Sequence, residues 1–349
     1  MLIKQCKVKS KIFNFFIRYK ITRCIIYFLL RIKHRSRIKN ATAECDLRKD
    51  VGLFEYNRLS EIIDNPYIIN EIQFYGFYSV LAKYINKPKL KKLITNEHGF
   101  IFSSYVSNNF FTKSIVLTFS DYREKLLLKK YGNKLNVVKI GPYIHYADSI
   151  LSCLQKEELK KELGKTLLVF PFHSIDGVLS SFDVSNFIEK IDEYKIINNF
   201  DNVLVCLYWK DIQIGRAEKY LSKGYKVTTA GHIYDIYFLN RLRTIIELSD
   251  FVLSNELGTY IGYCLCLNKQ IRLINQKSEF TFELGNEDHI NRQSFLAVEN
   301  HFSEYNRLQD KLQEILSIDN KKQEDLQFIN ELFGLQYLKS PVEMKKYIN

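Results

Sequence analysis

Residues 249–274 read SDFVLSNELGTYIGYCLCLNKQIRLI, and their order decides the fold class. The run Phe251-Val252-Leu253 is apolar throughout, as in a strand covered on both faces. Small and polar residues follow, Ser254-Asn255-Glu256-Leu257-Gly258-Thr259. An apolar stretch over 260–267 can wind as a helix, and 271–274 reads as a second strand. Strand, turn, helix and strand in succession make a βαβ unit, which joins parallel strands. Gly258 allows close backbone approach, and Thr259 can cap a helix whose first-turn N–H groups attract a phosphate or carboxylate.

The pattern repeats on either side. Strands are expected over 166–170, 202–208 and 225–229, with helices over 184–197, 212–223 and 234–249 between them. Strands alternating with helices at this spacing indicate a parallel, doubly wound sheet over 166–288. A first α/β region, 41–147, carries strands over 91–95, 114–120 and 136–140, and helices over 66–85 and 121–131. A charged amphipathic helix within 148–165 reads as the linker between the two domains, and residues 289–349 read as closing helices.

Twelve of the 51 Lys and Arg lie in residues 1–40, which hold no acid, so the other 39 balance the 39 Asp and Glu. The body is therefore neutral and lacks the basic face that nucleic-acid binding needs. The basic segment mixes its cations with Phe13, Phe16, Ile25, Phe28 and Leu29, yet its longest uncharged apolar run is far too short to span a bilayer. It suits a helix lying on an anionic membrane surface. Seven cysteines at scattered spacings fit a reducing compartment. The expected address is cytoplasmic, peripheral at the inner membrane.

In open parallel sheets ligands sit beyond the carboxyl ends of the strands. In the second region those ends carry His173 and Ser174, Lys210, His232, and the turn Ser254, Asn255, Glu256, Gly258 and Thr259. Donor groups there suit phosphates, and Glu256 suits a ribose diol. In the first region the matching end is Glu97-His98-Gly99, where an imidazole can take a proton from a hydroxyl and a neighbouring carboxylate can orient it. No His, Cys, Asp and Glu cluster has metal-ligand spacing. The Gly-x-x-x-x-Gly-Lys-Ser/Thr, Gly-x-Gly-x-x-Gly and Gly-x-Ser-x-Gly motifs are absent, which argues against P-loop NTPases, dehydrogenases and the usual serine hydrolases.

The EHG strand end, the GPYIHYA segment at 141–147 and the stretch 249–274 resemble GT-B glycosyltransferases of bacterial surface-polysaccharide assembly. The resemblance implies two Rossmann-like doubly wound domains facing across a cleft, preceded here by a basic helical arm. It implies a metal-independent enzyme without cofactor, which moves a sugar from a nucleotide-sugar donor to a lipid-linked or saccharide acceptor. Ser254, Asn255, Glu256, Gly258 and Thr259 match the positions that hold the donor's diphosphate and ribose. His98 is then the candidate general base and Glu97 its orienting partner. A polyol-phosphate transferase, a sugar-nucleotide epimerase of the same fold, or a non-catalytic membrane-associated scaffold stay open as alternatives.

Overall fold

A computed structural model describes residues 20–65, 71–90, 94–107, 110, 115–175, 178–282, 302–318 and 321–348. The first half of the basic arm, 1–19, lies outside the described residues, as do parts of three expected segments, 66–70, 91–93 and 289–301. The fold is α/β with parallel sheets.

The larger sheet is built from β4 (Thr166–Phe170), β6 (Asn202–Cys206), β7 (Lys226–Thr228), β8 (Phe251–Ser254) and β9 (Gln270–Leu273), every pair parallel. Their spatial order is β7-β6-β4-β8-β9. The chain steps outward from β4 in one direction, then crosses back and steps outward in the other. The order therefore reverses between β4 and β8, and the two carboxyl ends diverge there to leave a crevice. β4 (TLLVF) is buried along its whole length, as its unbroken apolar run requires. The smaller sheet has three parallel strands in chain order, β1 (Ile94–Asn96), β2 (Ile115–Thr118) and β3 (Asn136–Lys139).

An antiparallel ribbon, β5 (Val178–Phe182) with β10 (Ser278–Phe282), was not legible as such. The helix expected over 212–223 is two short helices, Trp209–Gln213 and Ala217–Leu221. The segment expected as a helix over 66–85 is a kinked 3-10 turn, Glu71–Gly76, followed by a helix, Phe77–Tyr84. Tyr75 (φ 57) and Gly76 (φ 71) both adopt the left-handed conformation at the kink. Gly76 is obligatory, since a Cβ there would lie 2.1 Å from the Ile236 carbonyl oxygen.

The two sheets share one core. A single cluster runs from Leu117 and Val138 through Leu168, Leu204, Val252 and Ile271 to Leu312, Phe333 and Met344. The expected linker is the helix Cys153–Leu163, opened by a Ser152–Gln155 capping box. It belongs to the body: Leu163 is buried, and Lys156 and Lys160 pair with Glu247 and Asp250. The closing helices are Phe302–Ser317, Gln323–Phe333 and Pro341–Ile348. Phe333 packs on Phe100 and Phe102 from the first sheet's side and against Gly262 from the second's. Gly334 (φ 69) follows so closely on the Phe119 carbonyl that no side chain fits.

The arm forms two helices, Lys20–Lys33 and Arg35–Leu47. The second runs through the boundary expected at residue 40, and Ala41 and Cys45 bury against Ile63, Tyr234 and Ile236. On the first, Ile25, Phe28, Leu29 and Ile32 follow the i, i+3, i+4, i+7 spacing of one face, and all four are more than half exposed. Among the described residues no helix is long and apolar enough to cross a membrane.

Candidate functional site

The carboxyl ends of the two sheets face a cleft with two chambers. The first, about 260 Å³, is lined by His98, Gly99 and Phe100 from the end of β1 and by Phe170, Pro171 and His173 from the end of β4. The residues after β6 and β7 and the aromatic rings of Tyr260, Tyr263 and Phe238 complete it. Among the described residues lining it there is no Lys, Arg, Asp or Glu. The second, about 580 Å³, is lined by Lys210, His232, Trp209, Tyr234 and the loop 62–65. Tyr75, His98, Ile175 and Tyr208 border both chambers and form the neck between them.

On the first sheet's side His98 is exposed to the cleft, its ring edge-on to Phe74. Glu97 does not orient it. The Glu97 side chain turns the other way, into a buried ion pair with Arg123 at 2.5 Å, and accepts the Thr118 hydroxyl at 2.6 Å. Arg123 also donates to the carbonyls of Ile101, Ser103 and Tyr105. The Tyr143 hydroxyl donates to the Glu97 carbonyl. A carboxylate without water needs such donors, and here they fasten the strand end and the loop after it. Glu97 thus fixes the backbone that carries His98.

On the second sheet's side the loop after β4 is held by Asp211. Its buried carboxylate accepts the Ser174 N–H and pairs with Arg216 at 2.8 Å. Burial pushes Asp211 above the usual carboxylate range. Ser174 is fully buried, its hydroxyl sharing a hydrogen bond with Ser180, so it is a structural group rather than a ligand contact. His173 lines the first chamber, with its Nδ1 3.2 Å from the Ser174 carbonyl and its ring against Tyr208. Donation from Nδ1 would leave Nε2 as an acceptor.

His232 lies at the wall of the second chamber. Burial lowers its pKa to about 4, so the ring is neutral near pH 7. Its Nδ1 accepts the Tyr234 N–H at 3.3 Å, which makes Nε2 the protonated nitrogen. Lys210 lines the same chamber as its cation, and Asp64, paired with Arg37, also lies on its wall.

The turn after β8 departs most from expectation. Ser254, Asn255 and Glu256 are all buried. Ser254 donates to the Phe170 carbonyl, and Asn255 accepts the Phe172 N–H and donates to Gln276. Glu256 accepts the Ser278 hydroxyl, the Leu257 N–H and the Tyr305 hydroxyl. Its carboxylate is fully engaged by these three donors and does not line the cleft, against the ribose contact expected of it. Gly258 makes room for Tyr260: a Cβ there would sit 2.1 Å from the Tyr260 ring. Thr259 opens the helix Thr259–Cys266 without capping it. Its hydroxyl instead accepts the Phe100 N–H at 2.9 Å and bridges the two sheets. Gly99 permits that approach, since its Cβ would lie 2.7 Å from the same oxygen.

Of the expected site residues, then, the cleft brings together His98, His173, Lys210, His232 and Thr259. Sequence reading missed Tyr75 and Tyr208 at the neck, because an aromatic residue carries no sign of whether it faces a core or a cavity; Trp209, at the strand end after β6, lies on the wall of the second chamber. Among the described residues no group of three or more His, Cys, Asp or Glu could hold a metal ion. No family model, curated protein or solved structure matches the chain.

Proposed function

We propose that the protein is a metal-independent glycosyltransferase of the two-domain GT-B type, moving a sugar from a nucleotide-sugar donor to the hydroxyl of a lipid-linked or saccharide acceptor. The observation that carries this reading is the connected cleft itself. It lies at the carboxyl ends of two parallel sheets, with His98 from one facing His173, Lys210 and His232 from the other.

The chambers divide the donor by charge. An uncharged, aromatic-walled cavity favours a neutral ring, whereas the diphosphate goes to the chamber holding Lys210. The neutral His232 contributes an N–H donor there. His98 takes the acceptor's hydroxyl proton as that oxygen bonds to the anomeric carbon. The bond from the anomeric carbon to the phosphate oxygen breaks, and the nucleoside diphosphate leaves with the electron pair. Glu97 acts only through Arg123 and the backbone. The exposed apolar face of Lys20–Lys33, with Arg31, Lys33, Arg35 and Lys39 beside it and no acid before Glu44, fits an anionic membrane surface.

The test is a melting-temperature panel of UDP-, GDP-, CMP- and CDP-linked compounds, paired with His98→Ala. At least one donor should stabilise the protein. The variant should keep that stabilisation while turnover falls by about 10²–10⁴. If no nucleotide raises the melting temperature, the reading is wrong. If turnover falls only a few-fold, the base is another group.

A further inference from the structure

The arm is one helical rod with two opposed faces. His34 separates its two helices, yet the His34 N–H donates to the Leu30 carbonyl and the Ile38 N–H to the His34 carbonyl, each at 2.9 Å, so the winding carries through. At about 3.6 residues per turn, Ala41 lies about two and a half turns beyond Ile32 and so on the opposite side of the rod. The inward side holds Ala41 and Cys45 against Ile63, and ends in the fully buried Arg48, which donates to the carbonyls of Leu59 and Glu61. The outward side presents Ile25, Phe28, Leu29 and Ile32, and Arg35 and Lys39 continue that stripe at the i+3 and i+7 positions after Ile32.

What the inward side grips is the wall of the second chamber. Residues 62–65 line that chamber, and two successive positions fasten them to the arm: Ile63 packs with Ala41 and Cys45, and Asp64 pairs with Arg37. Ile62, the residue before them, also lines the chamber and is 63% exposed. Ile175 on the chamber's wall and Ile214, next to the lining residue Gln213, are exposed as well. Exposed apolar side chains grouped around a cavity mark an interaction surface.

We infer that the membrane covers the arm's outward face and the rim of the second chamber together, so that this chamber takes the head group of a lipid-borne ligand directly from the bilayer. Charge fixes the partner as an anionic lipid surface: Arg31, Lys33, Arg35 and Lys39 accompany the apolar stripe, and no acid precedes Glu44. The lipid's chains stay in the bilayer beside Ile62, while its head group enters a chamber that carries Lys210 and His232 and reaches His98 at the neck. The inference rests on the membrane reading of the arm above and narrows the acceptor to its lipid-linked form.

The test uses the full-length protein and phosphatidylglycerol vesicles doped with a phospholipid that carries a diazirine on its head group. After sedimentation and illumination, label should be found on residues 61–65 as well as on 25–39. Ile62→Glu, which puts a charge on an exposed side chain, should weaken binding to undoped vesicles by about tenfold, the loss expected when one isoleucine no longer leaves water. Label confined to 25–39, or unchanged vesicle affinity in Ile62→Glu, overturns the inference and leaves the docking of the arm standing. Failure of the wild-type chain to sediment with the vesicles overturns both. No readout here involves a nucleotide, so label at 61–65 in a protein that no donor stabilises would keep the lipid entry and remove the transferase.

Discussion

Arg123→Met tests the strand end that carries His98. The guanidinium is fully buried and donates to both Glu97 oxygens, at 2.5 Å and 3.1 Å from two of its nitrogens. It also donates to the carbonyls of Ser103 and Tyr105, each at 2.7 Å, and of Ile101 at 3.2 Å. Methionine fills a similar volume but supplies no donor. The Glu97 carboxylate, 1% exposed, is then left with the Thr118 hydroxyl alone among side chains. Removing one partner of such a pair costs about 3–5 kcal/mol. The assay is urea unfolding of wild type, Arg123→Met, Glu97→Gln and the double variant. Taking away the carboxylate's charge should return at least about 1 kcal/mol of the Arg123→Met loss, while the freed carbonyls keep the rest. Amide exchange over 101–105 should quicken in both Arg123 variants. A loss under about 1 kcal/mol for Arg123→Met, or a double variant no more stable than that single one, would refute the pairing as the element that fixes the loop.

Three further outcomes follow from the same geometry. His232 titrates near 4 when folded, against 6.5 for a free imidazole, so the unfolded state binds the extra proton. Stability should therefore fall as pH drops from about 6.5 to 4, by on the order of 3 kcal/mol in total. His232→Gln should flatten that limb in pH-dependent urea unfolding; an unchanged limb removes His232 as its source. Gly258→Ala should cost about 1–3 kcal/mol by driving a methyl into the Tyr260 ring, which is stacked on Phe170, and a neutral effect would mean the ring can move aside. Leu29→Glu, on the exposed face of the arm, should abolish sedimentation of the full chain with phosphatidylglycerol-containing vesicles, and unaltered binding would exclude that face as the anchor.

The parallel sheet was legible because its strands are short apolar runs whose spacing leaves little choice. β4 and the helix Val184–Ile197 match the reading to the residue. The helix expected over 212–223 breaks at Gly215, and the ribbon β5–β10 pairs segments almost a hundred residues apart with mixed polarity, so neither left a periodic signal. Listing strand ends found His98, His173, Lys210 and His232, since sheet geometry alone sends those residues to the cleft. The same rule failed for Glu97 and Glu256. Their partners, Arg123 and Tyr305, come 26 and 49 residues later, and nothing local distinguishes a carboxylate that meets a ligand from one that meets a distant side chain.

The clasp made by the last helices also bears on how the chain is born. Phe333 and Gly334 seal Phe100, Phe102 and Phe119, while Tyr84 and Tyr146 bond to Lys339. A nascent chain whose residues 323–348 are still inside the ribosomal tunnel has synthesised both sheets yet cannot close the core between them. Its aromatic surface stays open until those residues emerge, so the core between the sheets closes late in synthesis, and holding chaperones have their longest opportunity just before that moment.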